Sequence, residues 1–212
     1  MVTRPGNADL MDIAIFAKAP QPGAAKTRLI PALSAAAAAR LQRQLTLSAL
    51  QLANCFASGK VTLHCAPDIN HRFFRALRDY RGVSVCAQSG ADLGARMAHA
   101  FAKHAGPLLL IGTDCPALQC MHLTTAESAL RAGNDAVFIP AEDGGYVLIG
   151  LNRPHTRLFE DIDWGSERVM AQTRERLIEL GLRWAEPFTL WDLDRPDDLQ
   201  RLAKLGREGV SP

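Results

Sequence analysis

An α/β protein with a mixed, mostly parallel sheet covered by helices on both faces is what the sequence predicts, on three observations. Short β-type runs alternate with longer helical patterns, as in chains of βαβ units. One pair of runs lies too close together for a crossover helix, so one strand must run antiparallel or continue as a bend. With 212 residues and 48% hydrophobic content, the chain can bury one substantial core. A single domain over residues 1–212 is expected, with an ordered core of about 12–205.

The elements follow in order. "DIAIFA" at 12–17 is an apolar run suited to a buried strand. Ser34 is a good N-cap for a helix that begins "AAAAARLQRQLTLSALQLANCF", with Leu41, Leu45, Ser48 and Leu52 on one face and Gly59 as its stop. Further strands are expected at "VTLHCA" (61–66), "VSVCAQ" (83–88), "PLLLIG" (107–112) and "DAVFIP" (135–140). "GGYVLIGL" at 144–151 follows so soon that it supplies the antiparallel neighbour or bend. A further helix is expected from Ser166, with Ser166 as cap, Glu167 in the first turn, Val169, Leu177 and Leu180 as apolar positions, and Gly181 just beyond its end.

Charge excludes one class of partner. The net charge of +2 comes from 24 basic and 22 acidic residues spread along the chain, so no basic stripe suits a nucleic acid. No apolar run approaches the roughly 20 residues that span a bilayer, and the first ten residues lack a secretory pattern, so a cytoplasmic location is expected. Five cysteines, mostly in apolar segments, suit reduced thiols better than a disulfide framework.

The turn after the first strand, "AKAPQPGAAKTRL" at 17–29, carries the first functional signal. In an open parallel sheet, ligands sit beyond the carboxyl ends of the strands, and this turn is a frequent phosphate cradle. Gly23 permits close backbone approach, Lys26 is a point charge, and Arg28 offers a planar fork for two phosphate oxygens. Ala17, Lys18 and Pro22 complete the candidate nucleotide-binding turn. Neither a Walker A loop nor a dinucleotide fingerprint is present, because the glycines stand in the wrong places. The bland alternative is a surface loop with two solvated cations.

Acidic residues gather at the other strand ends. Asp114 follows "LLLIGT", where one carboxylate beside ligand phosphates can hold Mg²⁺. "AEDGGY" adds Glu142 and Asp143, with Gly144 and Gly145 for close approach. "WDLDRPDDL" adds Asp192 and Asp194, either of which could complete a metal site. Each has an ordinary alternative: Asp114 as a helix cap, Asp143 with the glycines as a turn, Asp194 as the cap of a helix near Pro196. Their fall on one sheet edge argues for a site. Trp164 in "DIDWGS" could stack on a base or sugar, or could staple the following helix, and Asp163 goes with it. Cys115, Cys120 and His122 match no strong zinc spacing. His64 reads as a core histidine, and His99 and His104 as helical residues without partners.

Taken together, "FAKAPQPGAAKTRLIPAL", "IGTDCPAL", "PAEDGGYVLIGL", "LFEDIDWGSERV" and "DLDRPDDL" resemble the bacterial family of glycosyltransferase-like proteins called DUF2064, within the GT-A or nucleotide-diphospho-sugar transferase superfamily. "KTRL" also resembles the phospholactate guanylyltransferases, and "DLDRPDDL" their acidic C-terminal motif and that of the molybdenum-cofactor guanylyltransferases. The resemblance implies a three-layer, Rossmann-like GT-A fold, a nucleotide-bearing donor and a divalent metal. It makes Lys26 and Arg28 phosphate-binding cations and Asp114 a metal-binding and catalytic aspartate, with Asp194 as second metal ligand and Asp143 as its rival. "GTDCP" departs from a D-x-D triplet, and "APQPGAAKTR" replaces the glycine-rich loop of many nucleotidyltransferases.

The expected activity is a Mg²⁺- or Mn²⁺-dependent glycosyl transfer from a nucleotide-sugar to a small acceptor. The alternatives are nucleotidyl transfer from a nucleoside triphosphate with release of pyrophosphate, and a non-catalytic nucleotide-binding domain.

Overall fold

The structure, a computed structural model, describes residues 10–208. Residues 1–9 and 209–212, which the single-domain expectation and the reading of the first ten residues include, lie outside the described residues.

Seven strands form one sheet: β1 (Asp12–Lys18), β2 (Val61–Ala66), β3 (Ser84–Ala87), β4 (Leu108–Ile111), β5 (Ala136–Pro140), β6 (Tyr146–Leu151) and β7 (Trp184–Ala185). Their order is β3-β2-β1-β4-β6-β5-β7. Every pairing is parallel except those of β6, which runs antiparallel to both β4 and β5. The mixed sheet is therefore as expected. The short link that excluded a crossover helix is the turn between β5 and β6.

Alternation along β1 divides the core in two. Ile13, Ile15 and Ala17 face a layer containing α1 (Ala35–Phe56), α2 (Arg72–Arg81) and α4 (Cys120–Arg131). Ala14 and Phe16 face α3 (Leu93–Ala102) and α5 (Val169–Glu179). The successive side chains of a strand point to opposite faces, so a strand apolar throughout needs cover on both sides. A smaller third cluster joins Leu29, Leu45, Trp191 and Leu193, with Leu202 of α6 (Asp198–Glu208) against it. It anchors the turn after β1 to the C-terminal segment. Burying Leu29 fully contributes about 1.5–3 kcal/mol to holding that turn.

Three local expectations are corrected. Ser34 does cap α1, its Oγ accepting from the Ala37 N–H at 3.2 Å, but the buried stripe is Ala38, Ala39, Gln42, Leu45, Thr46, Leu50 and Ala53. Ser48 is exposed. The stripe escaped the apolar pattern because two of its members are polar and are satisfied internally: Thr46 Oγ1 donates to the Gln42 carbonyl, and Gln42 Nε2 donates to Thr113 Oγ1. Gly59 is not the helix stop; α1 ends at Phe56, and a Cβ at Gly59 would stand 1.9 Å from Asp12 Oδ1. Ser166 does not start α5 either. Its Oγ accepts from the Arg168 N–H at 3.2 Å, and the helix begins at Val169, after Glu167. Gly181 closes that helix as expected, with φ +63°.

Among the described residues no helix is long and apolar enough to cross a membrane. The five cysteines are free.

Candidate active site

A cleft of about 830 Å³ opens at the carboxyl ends of β1, β2 and β4, where the antiparallel β6 enters the sheet. Its lining includes Ala17, Lys18, Lys26, Arg28, Asp114, Asp143, Gly145, Asp192 and Asp194. The structure thus brings the cationic turn and Asp114, Asp143, Asp192 and Asp194 into one concavity, while Glu142 stays outside it, paired with Arg201. Open α/β sheets bind ligands at this edge.

Lys26 has left-handed backbone, φ +49°, a conformation uncommon outside glycine and costly enough to need support. The support comes from Leu29 buried behind it and from the side chain, only 3% exposed, whose Nζ donates to the Leu193 carbonyl and lies 3.1 Å from Asp114 Oδ2. Two residues on, Arg28 reaches Asp194 with its guanidinium largely in solvent. The turn after β1 is therefore paired across the cleft with Asp114 beyond the end of β4 and with Leu193 and Asp194 of the C-terminal segment.

Asp114 is placed from three directions. Its carbonyl accepts from the Leu193 N–H at 2.7 Å, Thr113 Oγ1 donates to its Oδ1 at 3.1 Å, and Gln42 Nε2 holds Thr113 at 3.0 Å from inside α1. Asp114 caps no helix, since α4 begins at Cys120 behind Gln119. The segment bearing Asp192 and Asp194 is fixed to the end of β5 by a bridge between Ala141 and Leu190. Arg201 of α6 adds a two-pronged ion pair to Glu142 at 2.7 and 2.9 Å and stacks 4.5 Å above the Trp191 ring. Asp194 does not cap α6; Asp198 Oδ2 accepts from the N–H groups of Asp194 and Arg195.

Carboxylates crowd this end of the cleft. Burial first, then the charge of Asp143 and of Asp194, push the Asp192 carboxyl up to about 6, with Lys26 opposing. Among the described residues no three His, Cys, Asp or Glu side chains converge closely enough to hold a metal by themselves. A hard cation bound by one or two carboxylates plus substrate phosphates needs no such trio, and the like-charge crowding around Asp192 is what a cation would relieve. The donor set fits.

The turn after β5 supplies Asp143 and the paired glycines. Asp143 Oδ1 accepts from the Gly145 N–H at 3.0 Å. Gly144, at φ +91°, presses against the chain before α5; a Cβ there would fall 2.0 Å from the Glu167 carbonyl oxygen. Gly145 lines the cleft, whereas Gly144, Pro22 and Gly23 shape turns behind it.

Trp164 does not reach the cleft. Its ring packs edge-on to Tyr146 and over Gly94, where a Cβ would come within 2.4 Å of the indole nitrogen. This is core packing against the α3 face of the sheet, and Asp163 is tied to Gln172 and Arg168. Cys115 borders the cleft, but burial raises its thiol to about 12. His122 Nδ1 accepts from the Gln119 N–H, closing a capping box. His64 is half-buried, its ring tilted against Phe16 at 5.3 Å between centroids. His104 has a partner after all: its Nε2 lies 3.1 Å from Asp12 Oδ2.

Thr113, Gln42, Gln88, Leu93 and Arg96 line the cleft and were not singled out beforehand. Thr113 was readable from its place beside Asp114. Gln42 carried only the weak signal of a polar residue on an apolar stripe. Gln88, at the end of an expected strand, carried none.

Strand order, an antiparallel β6 and a cleft at the carboxyl edge define a Rossmann-like α/β fold of the GT-A type. The chain belongs to the family described as "uncharacterized protein conserved in bacteria (DUF2064)", which matches residues 46–166. That span holds Asp114 and Asp143 but not Lys26, Arg28 or Asp194. A solved structure described as a candidate nucleotide-diphospho-sugar transferase from Desulfovibrio desulfuricans G20 is 28% identical, with 94% of this chain and 89% of that chain covered and a TM-score of 0.85. The fold is shared with molybdopterin-guanine dinucleotide biosynthesis protein A from Archaeoglobus fulgidus, at 14% identity, 93% and 100% coverage and a TM-score of 0.59. It is shared too with a Methanothermobacter nucleotidyl transferase, at 12% identity, 96% and 100% coverage and a TM-score of 0.60. No curated protein matches the sequence.

Proposed function

We propose that this chain is a metal-dependent transferase of a nucleotide-activated donor: a glycosyltransferase that moves a sugar from a nucleotide-diphospho-sugar to a small acceptor. The observation that carries this reading is the meeting of Lys26 and Arg28 with Asp114, Asp143, Asp192 and Asp194 in one cleft. The printed description of the Desulfovibrio structure supports the donor class.

Lys26 and Arg28 bind the diphosphate. The Lys26 ammonium is held in place by the Leu193 carbonyl, so little side-chain entropy remains to be lost on binding. Arg28 comes from solvent and brings two parallel donors. As the bond to the sugar breaks, charge grows on the leaving diphosphate, and fixed donors aimed there stabilise it. Asp114, with Asp194 or Asp143, would hold Mg²⁺ or Mn²⁺ beside the phosphates. The cation, when bound, neutralises the same developing charge. Thr113 and Gln42 keep Asp114 turned toward it. Gly145 leaves room for the sugar or acceptor against the β5–β6 turn.

The test is a thermal-shift panel of nucleotide-sugars and nucleoside triphosphates, each with and without Mn²⁺, followed by product analysis. A ligand at about 100 times its dissociation constant adds roughly 2.7 kcal/mol to stability. A metal-dependent shift by a nucleotide-sugar and release of a nucleoside diphosphate are expected. A shift by triphosphates alone with release of pyrophosphate would turn the reading to nucleotidyl transfer. Binding indifferent to metal and to Asp114→Ala would leave a non-catalytic nucleotide-binding domain, and no shift at all would overturn the site.

A further inference from the structure

We propose that a second, apolar groove behind the Asp114 loop receives an aliphatic portion of the acceptor, which is therefore an amphiphile with its reactive hydroxyl in the cleft. This rests on the reading of the cleft as the site of a glycosyltransferase and names the class of its acceptor. The groove, of about 480 Å³, runs between α1, the loop after β4 and Leu202 of α6. Its wall on α1 includes Leu41, Leu45, Ser48 and Leu52, the stripe that the apolar periodicity marks. Of these only Leu45 is buried; Leu41 and Leu52 are half-buried and Ser48 is exposed. The helix thus carries apolar surface beyond what its core-facing side takes up.

The groove exists because two apolar clusters do not meet. Leu52 and Leu118 pack against the cluster that includes Ile13 and Ile15, whereas Leu41 and Leu202 pack against the smaller one around Leu29 and Trp191. Among the described residues no charged side chain lines the gap. Gln44 and Ser48 are exposed, and Thr113 Oγ1 is engaged by Gln42 and Asp114. An aliphatic group therefore meets no unpaired buried polar atom here, while an ionic one would lose its hydration without a partner. A space of this size suits a small-molecule chain, not a helix of another protein.

Gly112 joins the groove to the cleft, since it lines both, as do Thr113 and Cys115. Neither backbone nor packing demands a glycine there. Its φ lies outside the left-handed region, and a Cβ would meet nothing nearer than the Asp114 nitrogen at 3.9 Å. What the missing side chain leaves is an opening. The Gly112 N–H donates to the Val147 carbonyl at 3.2 Å, so the opening stands against a residue only two positions from Gly145, on the side of the cleft given to sugar and acceptor. An aliphatic chain in the groove can carry a hydroxyl through it. That hydroxyl oxygen bonds to the anomeric carbon, the bond from this carbon to the diphosphate breaks, the diphosphate keeps the electron pair, and the hydroxyl proton passes to water.

Primary n-alcohols from propanol to octanol, titrated into the intact chain and followed by ligand-observed NMR, test the proposal. Each added methylene should tighten binding about fourfold, the equivalent of about 0.8 kcal/mol, until the groove is full. Ser48→Trp, a substitution at an exposed position on the groove wall, should remove that dependence and leave the thermal shift by nucleotides unchanged. With a nucleotide-sugar and Mn²⁺, the alcohols serve as acceptors, and KM should fall by the same factor per methylene in the native chain alone. Binding that ignores chain length, or that persists in folded Ser48→Trp, overturns the groove. Turnover whose KM ignores chain length overturns the acceptor assignment while the transferase reading stands. Failure of every nucleotide-sugar to bind overturns both. The series on the native chain decides the matter even if the variant does not fold.

Discussion

The ammonium of Lys26 lies 3.1 Å from a carboxylate oxygen of Asp114, so a cation suited to phosphate and an acid suited to metal are each other's partners. Arg28 and Asp194 repeat the arrangement nearer the solvent. On the proposed reading, a phosphate that took Lys26 would release Asp114 for a metal, and a metal that took Asp114 would release Lys26 for a phosphate. Metal and nucleotide should therefore bind with positive coupling of about 1–3 kcal/mol, measured by titrating each in the absence and presence of the other. Lys26→Met should weaken nucleotide binding by about 1–3 kcal/mol yet strengthen the binding of Mn²⁺ alone. Normal nucleotide binding by this variant would reduce the turn after β1 to a loop.

Asp192 gives a pH-dependent prediction. Its carboxyl titrates near 6 in the fold against an ordinary value of 3.8, because burial and the neighbouring Asp143 and Asp194 disfavour the charge. A raised acid stabilises the fold below its unfolded value, and that contribution is lost as pH rises through about 6. Asparagine stands in for the protonated form at every pH. Asp192→Asn should raise Tm at pH 8 and leave it nearly unchanged at pH 4, as scanning fluorimetry across that range would reveal.

His64 works in the opposite direction. Burial, followed by the nearby His99, Lys103 and His104, lowers it from 6.5 to about 4. The neutral ring against Phe16 stabilises the protein above pH 6.5, and this contribution disappears as pH falls through about 4. Tm should decline between those values, less steeply in His64→Gln. Parallel declines in the two proteins would assign acid sensitivity to other groups.

Gly144→Ala should be among the more damaging single changes. The positive φ alone costs on the order of 1–3 kcal/mol for a side-chain residue. The added methyl would also collide with backbone at Glu167, which cannot swing away as a side chain can. A lowered unfolding midpoint in urea, together with weaker nucleotide binding through the displaced Asp143, is expected. Unaltered midpoints would mean that the β5–β6 turn repositions freely.

How much was legible beforehand follows from the kind of signal each residue left. Buried strands such as β1 and β4 are apolar on both faces and short, so their runs stood out, and the brief link before β6 forced the antiparallel pairing. Lys26, Arg28 and Asp114 were legible because charge at a strand end is conspicuous. Gln42 was not, since its value lies in a bond to Thr113 some 71 residues away, invisible to any local period. Trp164 misled for a related reason: an aromatic beside a Gly-Ser turn looks the same whether it faces a cleft or a glycine on a distant helix, and Gly94 decided it. Gln88 left no local signal, since its amide bridges the carbonyls of His64 and Ala17 on β2 and β1.

The hydrogen bond from Lys26 to the Leu193 carbonyl joins residues 167 positions apart. Closing so long a loop carries an entropic term of roughly 4.5 kcal/mol, which local contacts cannot offset until the sheet between them exists. During synthesis, a chain that has emerged only as far as β6 has Lys26 and Arg28 but neither Leu193 nor Asp194 to meet them. On the proposed reading, occupancy of the cleft would report completion: a ligand held by Lys26 and Arg28 would clasp the first turn to the last segment only once the whole polypeptide has come together.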